Sequence, residues 1–435
     1  MGTFYAVAFN TLLSSVITFL VWFGVSIWVY LETGSVLATS IMSAFYALSM
    51  VLTGFIYGPI VDRSSKRSVM LWGDIISLIF LVIGFVIYQQ TPVEQFRSDG
   101  SVVLWGMVLM IFLGVIISGV RNVALPALIT ILVKKEERDR ANGLVGTITG
   151  VGFIIAPMLG GILLALAGMF WILLLAIVIR IVTVLHLLIV RIPQDTIHLE
   201  TDETSDRSFS VRTTLKAIGT VPGLWGLFLF NSFNNMLGGV FMPLIDPYAL
   251  SLMRQEQWGI LSGVLSIGFI LGGLIITRRG VGSTPVKNLF KVNLVMWGIT
   301  VLFALQPSIV LFAAGVFGYF LFVPFIEAIE HTIVQNVVPV NIQGRVFGLA
   351  VSIEQIATPV VTLLIGPVAQ FVFVPFMTDG AGVDLIGAWF GVGTGRGIAL
   401  LFTATGFLGF VLTLLAMRLR SYKVLAAQYA QKVKE

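Results

Sequence analysis

The 435-residue chain contains no cysteine, which excludes disulfide bonds, thiolate metal sites and cysteine nucleophiles. It has only three histidines, and their separation in the sequence argues against a histidine-based metal cluster. Charged residues are scarce as well, at 11% of the chain, less than half of the roughly 25% that is typical of soluble domains. This scarcity excludes a soluble enzyme, a nucleic-acid-binding protein and a disordered scaffold. The net charge is +5, but the chain has too few polar residues for these charges to form a basic patch on a soluble surface.

Apolar residues dominate, at 57% of the chain, and the mean hydropathy is +1.00. A helix needs about 20 mostly apolar residues to cross a bilayer. The first such stretch is too long for a signal peptide and lacks a small-residue cleavage site, so we interpret it as a retained helix. The least distinct boundaries between consecutive apolar stretches are at Ala167-Gly168 and at Gln306-Pro307. We predict an all-α polytopic membrane protein with twelve transmembrane helices, spans 1 to 12, at 9–31, 40–60, 69–88, 102–125, 143–166, 169–190, 222–245, 257–277, 288–305, 308–329, 346–372 and 396–417.

The distribution of lysine and arginine orients these spans, because such residues accumulate on the cytoplasmic side of a membrane. With the N-terminus inside, and with residues at the ends of spans counted with the adjoining loop, 21 of the 26 fall in inner loops and the tail and three fall in outer loops. Arg121 and Arg180 lie further inside spans. We therefore expect a multi-pass protein of the cell (plasma or inner) membrane with both termini in the cytoplasm.

The longest polar segment, 191–221, separates six spans from six. It is acidic and poor in apolar residues, so it is predicted to be a linker. The expected organisation is an N-terminal six-helix bundle at 1–190, this cytoplasmic linker, a C-terminal six-helix bundle at 222–417 and a cytoplasmic tail at 418–435. No part of the chain remains for a soluble catalytic domain, and we do not expect an enzyme.

The two halves echo each other, as in transporters built from internal repeats. Each match alone has a chance explanation, but their common order and topological place favour a duplication and two pseudo-symmetric bundles. The matching residues are Gly58 and Arg63 with Gly273 and Arg278, Arg140-Ala-Asn-Gly143 with Arg345-Val-Phe-Gly348, and Phe9-Asn10 with Phe230-Asn231.

The loop after span 2 reads Gly58-Pro-Ile-Val-Asp62-Arg63-Ser-Ser-Lys66-Arg67. Gly58 allows two helices to approach closely, and Asp62 can pair with a neighbouring basic side chain in one of two states of a cytoplasmic gate. This run resembles the loop 2–3 signature of the major facilitator superfamily, with Ser65 where the family usually has a second glycine. The alternative is an ordinary positively charged inner loop with an incidental aspartate.

Span 5 contains small residues four apart, Gly152, Ala156 and Gly160, together with Pro157 and Gly161. Such a face permits close helix packing, and the proline removes one backbone hydrogen bond and favours a bend. The run resembles the span 5 signature of the antiporter branch of that superfamily. Ordinary tight packing of membrane helices is the alternative interpretation.

Two further runs, Trp28–Ser35 and Asn336–Gly348, resemble the macrolide-efflux-like branch of the superfamily. The resemblance implies two six-helix bundles that rock about a midplane site. The family pattern also expects an arginine in span 4 where this chain has Gly114. Arg121 lies about two turns closer to the cytoplasm, so the proton-handling role of the family arginine is not transferred to it.

Ionisable groups at membrane depth are functional candidates by default. Glu354 lies roughly 12 Å into span 11 at ~1.5 Å per residue. Because burial penalises the charged form of a carboxyl group, we predict that Glu354 binds and releases protons. A helix–helix hydrogen bond or an ion pair is the alternative. Asp74 and Glu327 are further proton-coupling candidates.

For Asp74 the favoured interpretation is an ion pair with Arg121 that steadies the motif loop, and Arg180 is expected either to pair or to extend towards the membrane surface. Glu327 shares one helix face with Glu330 and His331 at spacings i, i+3 and i+4. This face lies near the cytoplasm, which favours a solvated surface or an inner gate.

Uncharged polar stripes mark spans 1 and 7, which line the central cavity in the superfamily. We predict that these stripes line a wet substrate path, with interhelical hydrogen bonding as the alternative. The predicted cavity residues are Asn10, Ser14, Thr18, Trp22 and Phe23 in span 1, and Asn231, Asn234 and Asn235 in span 7.

Together these features predict a secondary active transporter. It exports a hydrophobic small molecule, multidrug or macrolide-like, in exchange for protons by alternating access. Its expected partners are that substrate, protons and the lipid bilayer, and we expect a monomer with no cofactor, metal, nucleotide or nucleic acid. One alternative is an uptake permease or facilitator for a small solute or lipid on the same fold. Another is a membrane-embedded enzyme or lipid scramblase, although no interfacial polar cluster points to either.

Overall fold

A computed structural model describes the backbone of residues 2–121, 124–125, 128, 132–133, 138–190, 211–338, 346, 349–350 and 352–432. The main helices of these residues are α1 (Gly2–Thr33), α2 (Val36–Arg63), α3 (Lys66–Gln90), α4 (Val102–Ser118), α5 (Arg138–Leu166), α6 (Met169–Ile189), α7 (Val211–Thr220), α8 (Leu224–Leu252), α9 (Gln255–Leu265), α10 (Ile267–Arg279), α11 (Pro285–Leu302), α12 (Ile309–Val337), α13 (Ala357–Val368), α14 (Val374–Thr378), α15 (Ala381–Phe390), α16 (Thr394–Arg418) and α17 (Arg420–Lys432). A 3₁₀ turn at Val93–Phe96 and a π turn at Ala369–Phe373 complete the set.

Each of the twelve predicted spans coincides with helix in its described residues. Span 7 is α8, span 8 is divided into α9 and α10, and span 11 runs to Thr378 through α13, the π turn and α14. The two indistinct joints are real breaks, since α5 ends at Leu166 before α6, and α11 ends before α12. The predicted all-α membrane fold of twelve transmembrane helices is therefore confirmed.

Glycine and serine set several helix boundaries. Gly34 and Gly168 adopt positive φ angles of 64° and 81° between consecutive helices, a conformation that side chains with a Cβ rarely adopt. The hydroxyl groups of Ser35 and Ser308 accept hydrogen bonds from the backbone amides of Ala38 and Leu311. They satisfy helix N-terminal amides that would otherwise lack a partner.

The chain divides into two compact units. Unit 1 comprises Met1–Asp202 with Met253–Val264, and unit 2 comprises Glu203–Leu252 with Leu265–Glu435. Most of α9 thus groups with the N-terminal unit, although the sequence division at the linker assigned it to the C-terminal bundle.

The same packing order occurs within both units. In unit 1, α1 contacts α5 and α6, while α3 contacts α4 and α6. In unit 2, α8 contacts α13 and α16, while α11 contacts α12 and α16. In span numbers these pairs are 1·5, 1·6, 3·4 and 3·6, followed by 7·11, 7·12, 9·10 and 9·12. The repeated order supports the duplication inferred from the sequence.

Besides α14, which continues span 11, three described helices lie outside the predicted spans. Ile218 of α7, which lies in the predicted linker, is buried in unit 2. The predicted tail contains α17, where Leu425 is buried in the same cluster and the Tyr422 hydroxyl donates to the Gly226 carbonyl oxygen at 2.7 Å. The third, α15, lies between the predicted spans 11 and 12 and ends before Gly391, which has a positive φ angle. Packing against a larger core stabilises short helices that are marginal in isolation.

Candidate functional site

A buried charged cluster occupies the interior of unit 1. The Asp74 side chain, 1% exposed, accepts hydrogen bonds from the guanidinium groups of Arg121 and Arg180. The Arg180 Nη1–Asp74 Oδ1 distance is 2.9 Å. Three helices, α3, α6 and the stretch that follows α4, therefore meet at a single carboxylate.

The polar stripe of span 1 completes this cluster. Arg121 donates to Asn10 Oδ1 at 2.7 Å, and Arg180 donates to Ser14 Oγ at 2.6 Å and to Thr18 Oγ1 at 3.0 Å. Asn10 also donates through Nδ2 to a carbonyl oxygen of α6 at 2.9 Å. Asn10, Ser14 and Thr18, predicted to line a substrate path, are thus engaged by two arginines inside the unit.

This cluster contains two guanidinium groups and one carboxylate, and so one net positive charge. Within the described residues, the Nε atoms of Arg121 and Arg180 have no hydrogen-bond partner. Buried charges are tolerated when they are paired and hydrogen-bonded, and nearly all of the remaining donors here are satisfied. The arrangement ties four helices together and leaves Asp74 engaged on both carboxylate oxygens.

The predicted gate motif is described only in part. Gly58, Asp62 and Arg63 lie in α2, but the surroundings of Gly58 and the side chains of Asp62 and Arg63 are outside the described part of the structure. The whole of Arg345 is outside it as well. The proposed pairing of Asp62 therefore stays a prediction.

The basic pair of the same motif begins α3. Lys66 is half-buried, and Arg67 donates to the carbonyl oxygens of Leu187 at 3.3 Å and Leu188 at 2.8 Å. These carbonyls belong to the last turn of α6, where helix groups lack partners and carry a partial negative charge. Arg67 thus fastens the loop 2–3 motif to the end of span 6.

The small residues of α5 pack on two sides. A Cβ on Gly152 would lie 3.1 Å from the Phe19 ring, and one on Gly160 would lie 2.9 Å from Phe23, so this face of α5 contacts α1. A Cβ on Gly161 would lie 2.7 Å from the Gly259 Cα atom of α9. A Cβ on Gly259 would in turn lie 2.6 Å from the Pro157 carbonyl oxygen. Backbone meets backbone there, so neither glycine has room for a side chain.

A second cluster lies in unit 2 and consists of carboxyl groups. Glu354, 7% exposed, accepts a hydrogen bond from Asn231 Nδ2 at 3.5 Å. The Glu330 carboxyl group of α12 interacts with the Glu354 carboxyl group and with the Asn231 amide. In the described part of the chain, no lysine or arginine forms an ion pair with Glu354. The alternative of an ion pair for Glu354 therefore has no support among these residues, whereas the hydrogen bond between helices is present.

Two more titratable groups continue this cluster along α12. Glu327 and His331 are exposed side chains that interact electrostatically with Glu330, which is itself half-buried. Sequence reasoning placed all three on one helix face but missed Glu330 as the partner of Glu354. The i, i+3 spacing identified the face, and no sequence signal identified span 11 as the helix that it meets.

Two other predicted cavity residues, Asn234 and Trp22, lie beside aromatic rings. The Trp297 indole donates to Asn234 Oδ1 at 2.8 Å, and the backbone oxygen of Asn235 accepts from Thr358 at 3.4 Å. In unit 1, the rings of Trp22 and Tyr46 lie 4.9 Å apart. The half-buried side chains around Trp297 form an apolar surface of α8 and α12 that sequence reasoning did not identify: Phe233, Met236, Phe241, Tyr319 and Phe322.

The sequence profile of the Major Facilitator Superfamily matches residues 7–362. The chain belongs to this superfamily. It is a multi-pass membrane transporter and not an enzyme, as predicted.

Similar proteins of known name are efflux pumps. Macrolide efflux protein A of Enterococcus faecalis is 23% identical over 343 residues, which cover 73% of this chain and 99% of that protein. Multidrug efflux pump Tap of Mycolicibacterium fortuitum is 25% identical over 370 residues, 79% of this chain and 83% of that protein. The predicted resemblance to macrolide-efflux-like members of the family is therefore confirmed.

Solved transporter structures share the fold of this transporter. A D-xylose-proton symporter aligns with a TM-score of 0.68 and 13% identity, over 97% of this chain and 99% of that chain. A bacterial homologue of the iron transporter ferroportin, in an inward-facing state, aligns with a TM-score of 0.65 and 15% identity, over 96% and 99%. At these identities the likeness concerns the fold alone.

Proposed function

We propose that this transporter exports a hydrophobic small molecule, of multidrug or macrolide-like type, from the cytoplasm in exchange for protons. It works by alternating access in the cell membrane, with both termini in the cytoplasm. The names of the efflux-pump relatives support the substrate class, and the 21-to-3 distribution of lysine and arginine supports the orientation.

The proposed proton coupling rests on the environment of the Glu354 side chain. Ionising a buried carboxyl group without a neighbouring cation is costly, and such a group becomes neutral by binding a proton. Glu354 is buried and contacts an amide and a second carboxyl group. Asp74, by contrast, lies between two arginines that stabilise a carboxylate in place. Of Glu354 and Asp74, Glu354 is therefore the one suited to gain and lose a proton in each cycle.

The proton gradient is sufficient for this work. A potential supplies about 2.3 kcal/mol per charge per 100 mV, and one pH unit adds about 1.4 kcal/mol per proton. Inward movement of one proton under both forces releases roughly 3.7 kcal/mol. At about 1.4 kcal/mol per tenfold, this supports a gradient of several hundred-fold for one neutral substrate molecule.

The test uses proteoliposomes that contain the full chain, an imposed pH gradient and a labelled macrolide. The parental protein should accumulate the macrolide when the gradient is present. Glu354→Gln mimics a permanently protonated carboxyl group, so it should abolish this accumulation and retain macrolide exchange without a gradient. Undiminished pH-driven accumulation in the variant would refute the coupling role of Glu354. Counterflow in oriented vesicles would show directly whether transport is export or uptake.

A further inference from the structure

Titratable groups in unit 2 form a graded series from the interior to the surface. Glu354 is buried, Glu330 is half-buried, and Glu327 and His331 are exposed. Glu330 contacts Glu354 on one side and interacts with Glu327 and His331 on the other. The series therefore links spans 11 and 10 through interactions between carboxyl groups.

We propose that Glu330 is the group through which Glu354 exchanges its proton with water, and that Asn231 positions both carboxyl groups. This inference rests on the proposed role of Glu354 as the proton-binding residue. It adds a second residue to proton coupling and assigns a route by which the buried proton reaches solvent.

The geometry favours Glu330 over the other neighbour of Glu354. A carboxylate accepts a proton on one oxygen and releases it from the other, whereas an amide does not take up a proton near neutral pH. Asn231 donates to Glu354 and contacts Glu330, while its Oδ1 atom is buried without a hydrogen-bond partner in the described residues. Asn231 therefore holds the pair in register without carrying the proton.

Two helices contribute the other polar groups around Glu330 and Glu354. Span 7 contributes the neutral Asn231, and span 10 contributes Glu327 and His331. Two carboxylates in contact repel each other, which favours one proton shared by the pair. Two carboxyl groups can share a hydrogen bond only when one of them holds a proton, because a carboxylate is an acceptor only.

The transfer step is a simple proton exchange. The O–H bond of protonated Glu354 breaks as an O–H bond forms on the Glu330 carboxylate, and the negative charge moves to Glu354. Glu330 then gives the proton to water at the exposed side near Glu327 and His331. Loading runs through the same steps in reverse, and no reactant other than water is required.

Time-resolved infrared spectroscopy on the detergent-purified full chain tests this route without any substrate. After a rapid rise in pH, the carbonyl stretch of protonated carboxyl groups reports deprotonation, and its loss in Glu354→Gln assigns the band to Glu354. In Glu330→Gln the band should still disappear at sufficiently high pH, but at least about tenfold more slowly. Glu330→Asp, which keeps a carboxyl group, should recover most of the rate. Asp384→Asn, which removes an exposed carboxyl group on α15, should match the parental rate.

The possible results separate the two proposals. Deprotonation of Glu330→Gln at the parental rate would overturn the route through Glu330. A band that is unchanged in Glu354→Gln would instead refute Glu354 as the proton-binding residue. A slow rate in both Glu330→Gln and Glu330→Asp would indicate a structural role for Glu330 and would also overturn the route.

Discussion

Replacing Asp74 with asparagine tests the charge balance of unit 1 most directly. The substitution keeps the shape of the side chain and removes the carboxylate that both Arg121 and Arg180 contact. Two buried guanidinium groups would then lie close together with only neutral partners. The asparagine would also offer a single acceptor oxygen in place of two, so one of the arginines would lose its bond at this position.

The expected loss of stability is large. Removing one partner of a buried ion pair costs about 3–5 kcal/mol, because the other charge stays buried and unpaired. At roughly 2–4 °C per kcal/mol for a unit of 150–250 residues, Asp74→Asn should lower the Tm by about 6–20 °C. A second substitution, Arg180→Met, removes one of the unpaired charges. The double variant should therefore melt above Asp74→Asn, although each substitution alone is destabilising.

Thermal unfolding of the detergent-purified protein, followed by tryptophan fluorescence, measures these shifts. Asp384→Asn is the matched control, since this aspartate lies exposed on α15 and should leave the Tm within about 1–2 °C of the parental value. If Asp74→Asn melts with the control, the buried ion pairs do not stabilise unit 1. If Arg180→Met lowers the Tm of Asp74→Asn further, the reasoning from excess charge is wrong.

Three other substitutions test packing and gating. Gly160→Leu should destabilise the protein by about 1–3 kcal/mol and impair transport, because there is no space for a side chain between α5 and α1. Gly106→Leu is the control, since a Cβ at Gly106 meets open space, and it should change neither the Tm nor the transport rate. Leu425→Ala should lower the free energy of unfolding by about 2–5 kcal/mol, whereas Leu419→Ala, at an exposed position, should change it little. Equal Tm values for the two variants would mean that α17 does not stabilise unit 2. Asp62→Asn should slow transport in proteoliposomes and leave substrate binding intact, and a parental transport rate would contradict the gate interpretation.

Much of the fold was predictable because the bilayer imposes simple requirements. Apolar runs of sufficient length marked the spans, and glycine at Ala167-Gly168 marked a joint that the structure places at Gly168 with a positive φ angle. The short helices α7, α15 and α17 were missed. Their stability depends on a few buried contacts such as Ile218 and Leu425, which no local periodicity reveals.

The candidate site was predictable as a set of residue types and not as a set of partners. Depth in the membrane singled out Asp74, Arg121, Arg180 and Glu354, and all four side chains are buried in the structure. Which charges meet depends on how spans pack, and the Arg180 contact with Asp74 joins residues 106 positions apart. The sequence places Glu330 on one face of span 10 with Glu327 and His331. Its interaction with Glu354 of span 11 likewise depends on how the spans pack.

Asn10 and Asn231 occupy matching places in the two halves, yet their side chains serve opposite charges. The oxygen of Asn10 accepts from a guanidinium group, and the nitrogen of Asn231 donates to a carboxyl group. An amide offers both kinds of atom, so one inherited position suited a basic neighbour in one copy and an acidic neighbour in the other. After duplication, the charge on neighbouring helices could therefore change sign with this asparagine unchanged, and one ancestral bundle could give rise to a half held by ion pairs and a half with a buried carboxyl group in their place.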